Sequence, residues 1–280
     1  MQICDLHTHS TFSDGSCTPT EIINEAIEKG LCAVALCDHN TVDGVPEFLA
    51  AAKDKDIEAI AGVEFSVDYM GVELHLLALF IPEGALKRLS ELMVEVNRRK
   101  EISNIALVES LCSAGYVMDY SDIKRKSPNG NINRVQIATE LTEKGYTASI
   151  NEAFDTLLNE DAGYYVAPER INVFKMIGII LSLGAVPVLA HPFLNLSEEE
   201  LTEFLPKAKE CGLAGMECLY STYSEEQTKK SLEIAQLYRL KPSGGSDYHG
   251  NKKPDIKLGI GKGGLKIPYE YAKGLKTKAE

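Results

Sequence analysis

The sequence predicts an α/β protein, a parallel barrel or sheet into which a small helical segment is inserted. Three observations lead there. Strand and helix signals alternate along most of the chain, giving roughly seven strands separated by helices. The alternation fades between 116 and 168 and then resumes. Most residues suited to chemistry fall at the carboxyl ends of the predicted strands, the face on which parallel barrels build their sites.

The elements run in order as follows. Residues 3–6 are a short apolar start. Thr18, Pro19 and Glu21 form a capping box with proline at the first helical position, and Ile22, Ile23, Ala26 and Ile27 then line one face until Gly30 stops the helix. Residues 31–37 are a continuous apolar run, as a strand buried on both faces should be. A helix at 45–54, strands at 57–63 and 72–80, and a long helix from 84 to 113 ending at Gly115 follow. The alternation resumes with a helix at 171–183, a strand at 185–190, helical turns from 197 to 211 bent at Pro206, a strand at 214–219, a helix capped by Ser224 and Gln227, and a last strand at 242–246.

Residues 116–168 are richer in polar and turn residues, notably Ser127 to Asn131, with helical patterns near 133–144 and 149–159. They read as an inserted helical subdomain, leaving 1–115 and 169–280 for the barrel. In the lysine-rich tail after 251, the glycines from Gly259 to Gly264 do not follow a strand into a helix, so a solvated loop is expected rather than a nucleotide cradle.

Composition excludes several classes. No apolar run reaches the ~18 residues of a membrane span. The start from Met1 through His7 has neither a basic stretch nor an apolar core, so no signal peptide is expected. Seven cysteines without a CxxC pair suit buried thiols in a reducing cytoplasm. A net charge of −12 disfavours binding along a long nucleic acid. It leaves room for a small phosphorylated substrate, because bound metals bring their own positive charge.

The chain has six histidines, at 7, 9, 39, 75, 191 and 249. His7 and His9 are two residues apart, so on extended chain they point the same way and can share one ion. Asp247 and His249 repeat that spacing. Asp38 precedes His39 and can orient a ligand imidazole from behind. Asp14 sits in a Ser13-Asp14-Gly15 turn, and Glu64 follows Gly62 at a predicted strand end. Imidazole and carboxylate are the donors that hard and borderline divalent metals take.

These segments, Asp5-Leu6-His7-Thr8-His9-Ser10, Ser13-Asp14-Gly15, Cys37-Asp38-His39-Asn40-Thr41, Gly62-Val63-Glu64, Ala190-His191-Pro192 and Gly245-Ser246-Asp247-Tyr248-His249, resemble the motifs of the PHP (polymerase and histidinol phosphatase) family. The resemblance implies a distorted seven-stranded (β/α)7 barrel holding up to three metal ions, Zn, Mn or Fe. His7 and His9 would bind the first with Glu64 and Asp247; Asp14, His39 and His249 the second; His75 and His191 the third, with Glu64 bridging. A metal-bridging water held by Glu64, Asp247 and the histidine ligands would be the nucleophile. The insertion is similar to that of the nucleotide-phosphoesterase branch, where a helix start, here Asn133-Arg134, faces the metals, so Arg134 is the implied substrate-binding residue. The chain departs from the usual pattern in Val135-Gln136 after that arginine and in the histidine-free loop after Glu217.

The implied activity is metal-dependent hydrolysis of a phosphate ester of a nucleotide, such as a nucleoside 3',5'-bisphosphate, or of a short oligonucleotide. Histidinol-phosphate and phosphotyrosine phosphatases share the ligand set. A carbon–nitrogen hydrolase would call for a metal-bridging lysine, which no strand end offers. A non-catalytic metal-binding module is the alternative of another class. The basic residues Arg98 to Lys100 and Lys124 to Lys126 are read as a solvated helix face rather than an RNA track.

Overall fold

The structure, a computed structural model, describes residues 2–127 and 132–277. The turn cluster at 128–131 lies outside them. Seven long strands, β1 (Ile3–Thr8), β2 (Ala33–Leu36), β3 (Glu58–Tyr69), β4 (Val72–Leu79), β6 (Val186–Leu189), β7 (Gly215–Tyr220) and β8 (Lys241–Gly245), curl into a nearly closed barrel. Two-residue strands β5 (Ile171–Asn172) and β9 (Ile267–Pro268) are added to it. The order is β8-β7-β6-β4-β3-β2-β1-β9, with β5 paired to β3.

The closure runs between β1 and β8. His9 N–H donates to Tyr248 C=O at 2.8 Å and Asp247 N–H to His7 C=O at 2.9 Å. Beneath them the buried Asp5 carboxylate accepts the N–H groups of Ser246 and Gly259, both at 2.8 Å. Gly245 is required here, because a Cβ on it would lie 2.1 Å from His7 Cβ.

The expected alternation holds with instructive departures. β4 is antiparallel to both β3 and β6. A tight turn at Met70 and Gly71, both with positive φ, joins β3 to β4, and such a hairpin can only be antiparallel. β3 also runs to Tyr69, so Glu64 lies mid-strand rather than at a strand end. The parallel pairing of β3 with β2 nevertheless ends at Ala61, which leaves Glu64 at the barrel rim.

Helices α1 (Pro19–Glu28), α2 (Val45–Ala52), α7 (Val173–Ser182), α8 (Glu198–Glu210) and α9 (Glu225–Leu237) pack outside the strands. The capping boxes at Thr18 and Ser224 form as the sequence requires. α8 continues through Pro206. The Thr202 carbonyl, which a proline leaves without its helical donor, takes the Tyr238 hydroxyl at 3.2 Å.

The long α3 (Glu83–Ser113) leads into α4 (Tyr120–Lys126), α5 (Arg134–Glu143) and α6 (Ile150–Thr156). These share a separate apolar cluster that includes Leu107, Leu111, Ile137, Leu141 and Leu158. α4, capped by Asp119, is too short for periodicity to reveal. The tail is not a solvated loop: Leu258 is fully buried, and β9 pairs with β1 before α10 (Tyr269–Lys276) covers the barrel end.

Candidate metal centre and substrate cavity

The rim of the barrel gathers all six histidines. His7 arrives on β1, His9 just after it, His39 after β2, His75 on β4, His191 after β6 and His249 after β8. His191 is held at φ 25, a backbone conformation that side chains rarely adopt, and this turns its ring into the cluster. Glu64 is the hub. Its Oε1 lies 2.8 Å from His75 Nδ1 and 2.9 Å from His191 Nε2. Its Oε2 lies 3.1–3.2 Å from His7 Nε2, His9 Nε2 and His39 Nδ1. Asp247 Oδ1 faces His9 Nε2 at 3.2 Å, and its Oδ2 accepts from Tyr220 Oη at 2.7 Å and Lys253 Nζ at 2.6 Å.

On the other side Asp14 Oδ1 lies 3.3 Å from His249 Nε2, and its Oδ2 3.7 Å from His39 Nε2. All nine residues singled out in the sequence therefore lie in one cluster. Within it, His9, Asp14, His39 and His249 can converge on one ion, as can His7, His9 and Glu64 or His39, Glu64 and His75.

The donor atoms are arranged for cations. His249 Nδ1 faces the Asp247 carbonyl at 2.8 Å, and a carbonyl only accepts, so the proton is on Nδ1 and the Nε2 lone pair points at Asp14 Oδ1. That oxygen is buried and has no hydrogen-bond partner. Burial pushes the His249 imidazole below its ordinary range, away from the protonated form. A metal ion between the two atoms, 3.3 Å apart, would satisfy both. Around Glu64, by contrast, protons can serve when metal is absent. Burial opposes the charge on His7, but Glu64 and Glu217 outweigh it and hold the imidazole well above its usual range. Burial likewise disfavours the Glu64 carboxylate, and the surrounding imidazoles overcome it and keep it ionised.

Asp38 does not orient His39. It accepts from Ser10 N–H at 2.8 Å and from the hydroxyls of Ser10 and Ser13, both at 2.6 Å. Its role is to fix the turn that delivers Asp14.

A family model described as PHP domain matches residues 5–159. The chain belongs to the PHP domain family. It is 30% identical over 246 residues to a 5'-3' exoribonuclease of Haemophilus influenzae, a match covering 88% of this chain and 89% of that one. It is 28% identical over 257 residues to a 3',5'-nucleoside bisphosphate phosphatase of Chromobacterium violaceum, covering 89% and 88%. A crystal structure from Bifidobacterium adolescentis, described as a metal-dependent phosphoesterase, superimposes with a TM-score of 0.85 at 26% identity over 99% of this chain and 96% of that one.

In this PHP chain the cluster floors a cavity of about 570 Å³. Arg134, at the start of α5, reaches into it but touches none of the imidazoles. Its Nη2 lies 3.1 Å from Glu73 Oε2, and its guanidinium stacks over the Tyr165 ring at 4.3 Å. Glu73 stands between, with Oε1 3.6 Å from His75 Nε2. Sequence reasoning missed Glu73, Arg170, Lys100 and Glu217. Glu217 is fully buried on β7 and accepts His191 N–H at 2.8 Å. A lone carboxylate inside the apolar run of β7 was the available signal. Among the described residues no helix is long and apolar enough to cross a membrane.

Proposed function

We propose that this chain is a metal-dependent phosphoesterase that hydrolyses a phosphate ester of a nucleotide, such as a nucleoside 3',5'-bisphosphate, or of a short oligonucleotide. The observation that carries the reading is the facing pair Asp14 Oδ1 and His249 Nε2, 3.3 Å apart and the first of them without a hydrogen-bond partner, at the floor of a cavity walled by Arg134, Tyr165 and Phe154. The names of the relatives support the substrate class.

Up to three ions would be held: by His7 and His9 with Glu64 and Asp247, by Asp14, His39 and His249, and by His75 and His191 with Glu64. Nitrogen and oxygen donors suit Zn, Mn or Fe and not soft Cu(I). When bound, such ions act as Lewis acids toward phosphoryl oxygen and lower the pKa of water. The chain's residues do the positioning. Tyr220 and Lys253 fix one oxygen of Asp247 so that the other faces the imidazoles. Arg134 offers a guanidinium fork to a phosphate of the substrate. Tyr165 and Phe154 give a planar base an apolar wall. Residues 116–168, read as one inserted unit, supply that side of the cavity. The seven free cysteines fit a reducing, cytoplasmic setting.

Metal analysis of the purified protein, combined with turnover on nucleoside 3',5'-bisphosphates, short RNA, histidinol phosphate and phosphotyrosine, tests the reading. Metal retention with nucleotide turnover, lost together in an Asp14→Ala/His39→Ala double variant that still folds, is the expected result. Metal retention without turnover on any ester would leave a non-catalytic metal module.

A further inference from the structure

A second cavity, of about 660 Å³, lies between the end of β7, α9 and the tail leading into β9, and shares no lining residue with the one over the imidazoles. A register shift in β7 between Glu217 and Leu219 sends these two side chains to different places. Glu217 turns to His7, and Leu219 faces the second cavity.

The wall between this cavity and the proposed metal ligands is one side chain thick. Tyr220 lines the cavity, its ring packs 5.2 Å from that of His191, and its hydroxyl donates to Asp247 Oδ2 at 2.7 Å. The ring of Tyr223, also in the wall, lies 5.3 Å from that of Tyr220. Its hydroxyl oxygen accepts Phe193 N–H at 3.0 Å, in the turn just after His191. The Ser221 hydroxyl donates at 2.6 Å to the carbonyl of Ser246, the residue before Asp247. Three wall residues close together in the chain thus hold the segments that carry His191 and Asp247. A ligand that shifts them shifts both.

The lining says what fits. Leu219, Leu232, Leu265 and the Tyr223 ring give a half-buried apolar floor. Lys229, Lys262 and Lys266 stand around it, with Glu225 and Glu233. Glu233 comes within 4.0 Å of Lys229. Among the described residues no carboxylate lies within ion-pair distance of Lys262 or Lys266. In a chain with a net charge of −12, two unanswered ammoniums beside an apolar floor mark a place for an anion with an apolar body. The space is that of an ordinary small-molecule site. The proposed reaction generates such an anion beside it, a nucleoside monophosphate, whose flat base matches the leucines and Tyr223 and whose phosphate matches the lysines as point charges. We propose that this cavity is a second nucleotide site, outside the metal centre, through which a nucleoside monophosphate slows turnover by shifting Tyr220 and with it Asp247. The regulated reaction rests on the phosphoesterase reading above; the binding does not.

The probe is the phosphonate analogue of adenosine 5'-monophosphate, whose carbon–phosphorus bond a phosphoesterase does not cut. In equilibrium dialysis against the metal-loaded full chain, Lys262→Glu/Lys266→Glu should bind one equivalent fewer than wild type. Both lysines are exposed, so the variant keeps the fold. Equal stoichiometry overturns the site. With p-nitrophenyl phosphate as substrate and no analogue, the two proteins should match. Saturating analogue should lower wild-type kcat by about 5-fold or more, the size of a typical coupling between sites. In the double variant it should raise KM alone, as binding at the metals requires. Purely competitive inhibition of the wild type overturns the link to the metal centre. If the loaded wild type cleaves no phosphate ester, including p-nitrophenyl phosphate, the functional reading fails instead. Dialysis then still decides the site, and competition against a chelator decides the link. A change in metal affinity on adding the analogue that is larger in wild type than in the double variant supports it, and an equal change overturns it.

Discussion

The carboxylate of Glu217 lies 3.1 Å from Nδ1 of His7, while its other oxygen takes the backbone N–H of His191. One buried side chain from β7 thus fixes two proposed ligands from two other strands. It places the His7 proton on Nδ1 and frees Nε2 for the cluster. Glu217→Gln can serve as acceptor for only one of these donors. Carboxylates behind ligand imidazoles are typically worth about 10- to 100-fold in metal affinity. We expect that loss in a competition titration against a chelator, with the far-ultraviolet circular dichroism unchanged. Wild-type affinity in the variant would remove Glu217 from the positioning of His7.

The metal-free protein should be most stable near neutral pH. Burial opposes protonation of His9 and His75, but Asp247 and Glu64 around the first and Glu64 and Glu73 around the second push them up to about 9 and about 10. Unfolded, both titrate near ~6.5, so their contribution is complete below that value and is lost as pH climbs through 9 to 10. Burial takes His39 down to about 3. Below pH ~6.5 the unfolded chain gains a proton there that the folded chain refuses, so stability also falls toward pH 3. Metal binding displaces the protons of the first group and should extend stability into the alkaline range, with proton release. Thermal midpoints from pH 4 to 10, with and without chelator, check this. A metal-free midpoint that rises steadily above pH 7 would contradict it.

Gly245→Ala should disrupt the barrel closure. The added Cβ would sit 2.1 Å from His7 Cβ and 2.8 Å from His7 N. Neither atom is the end of a flexible side chain, so β1 or β8 must move. Overpacking of this kind costs about 1–3 kcal/mol, and here it also displaces His7. Denaturant unfolding and metal content should both fall. A variant with wild-type stability and full metal content would show that the seam can open without penalty.

The parts of the fold that were legible in the sequence are those with long or capped elements. The Thr18 and Ser224 capping boxes and the apolar run into β2 announce themselves through local chemistry. β5 and β9 have two residues each and depend on partners far along the chain, so no local period marks them. The imidazoles were legible because histidine is rare here and recurs beside carboxylates. Asp38 turns away from its neighbour His39, because adjacent residues on an extended chain face opposite ways, and its carboxylate takes the hydroxyls of Ser10 and Ser13. Glu73 on β4, Lys100 on α3 and Arg170 just before β5 meet only through the tertiary fold. Charge alone does not distinguish Lys100 from Arg98 and Arg99 beside it.

Glu64→Gln isolates the centre of the cluster. Glu64 is 1% exposed and touches five imidazoles, so no other single residue answers as much buried charge. In the metal-free protein at pH 6, His7, His9 and His75 are protonated against it, and removing one partner of such buried pairs costs about 3–5 kcal/mol. The imidazoles can escape part of that cost by losing their protons. At pH 10 His9 is largely neutral and His75 about half so, and there the same substitution should cost less. Urea unfolding of metal-free wild type and variant at the two pH values measures the difference directly. A penalty equal at pH 6 and pH 10 would mean that Glu64 acts by packing rather than by charge. The variant should also fail to retain metal at either pH, because glutamine offers one neutral oxygen where the cluster uses both oxygens of a carboxylate.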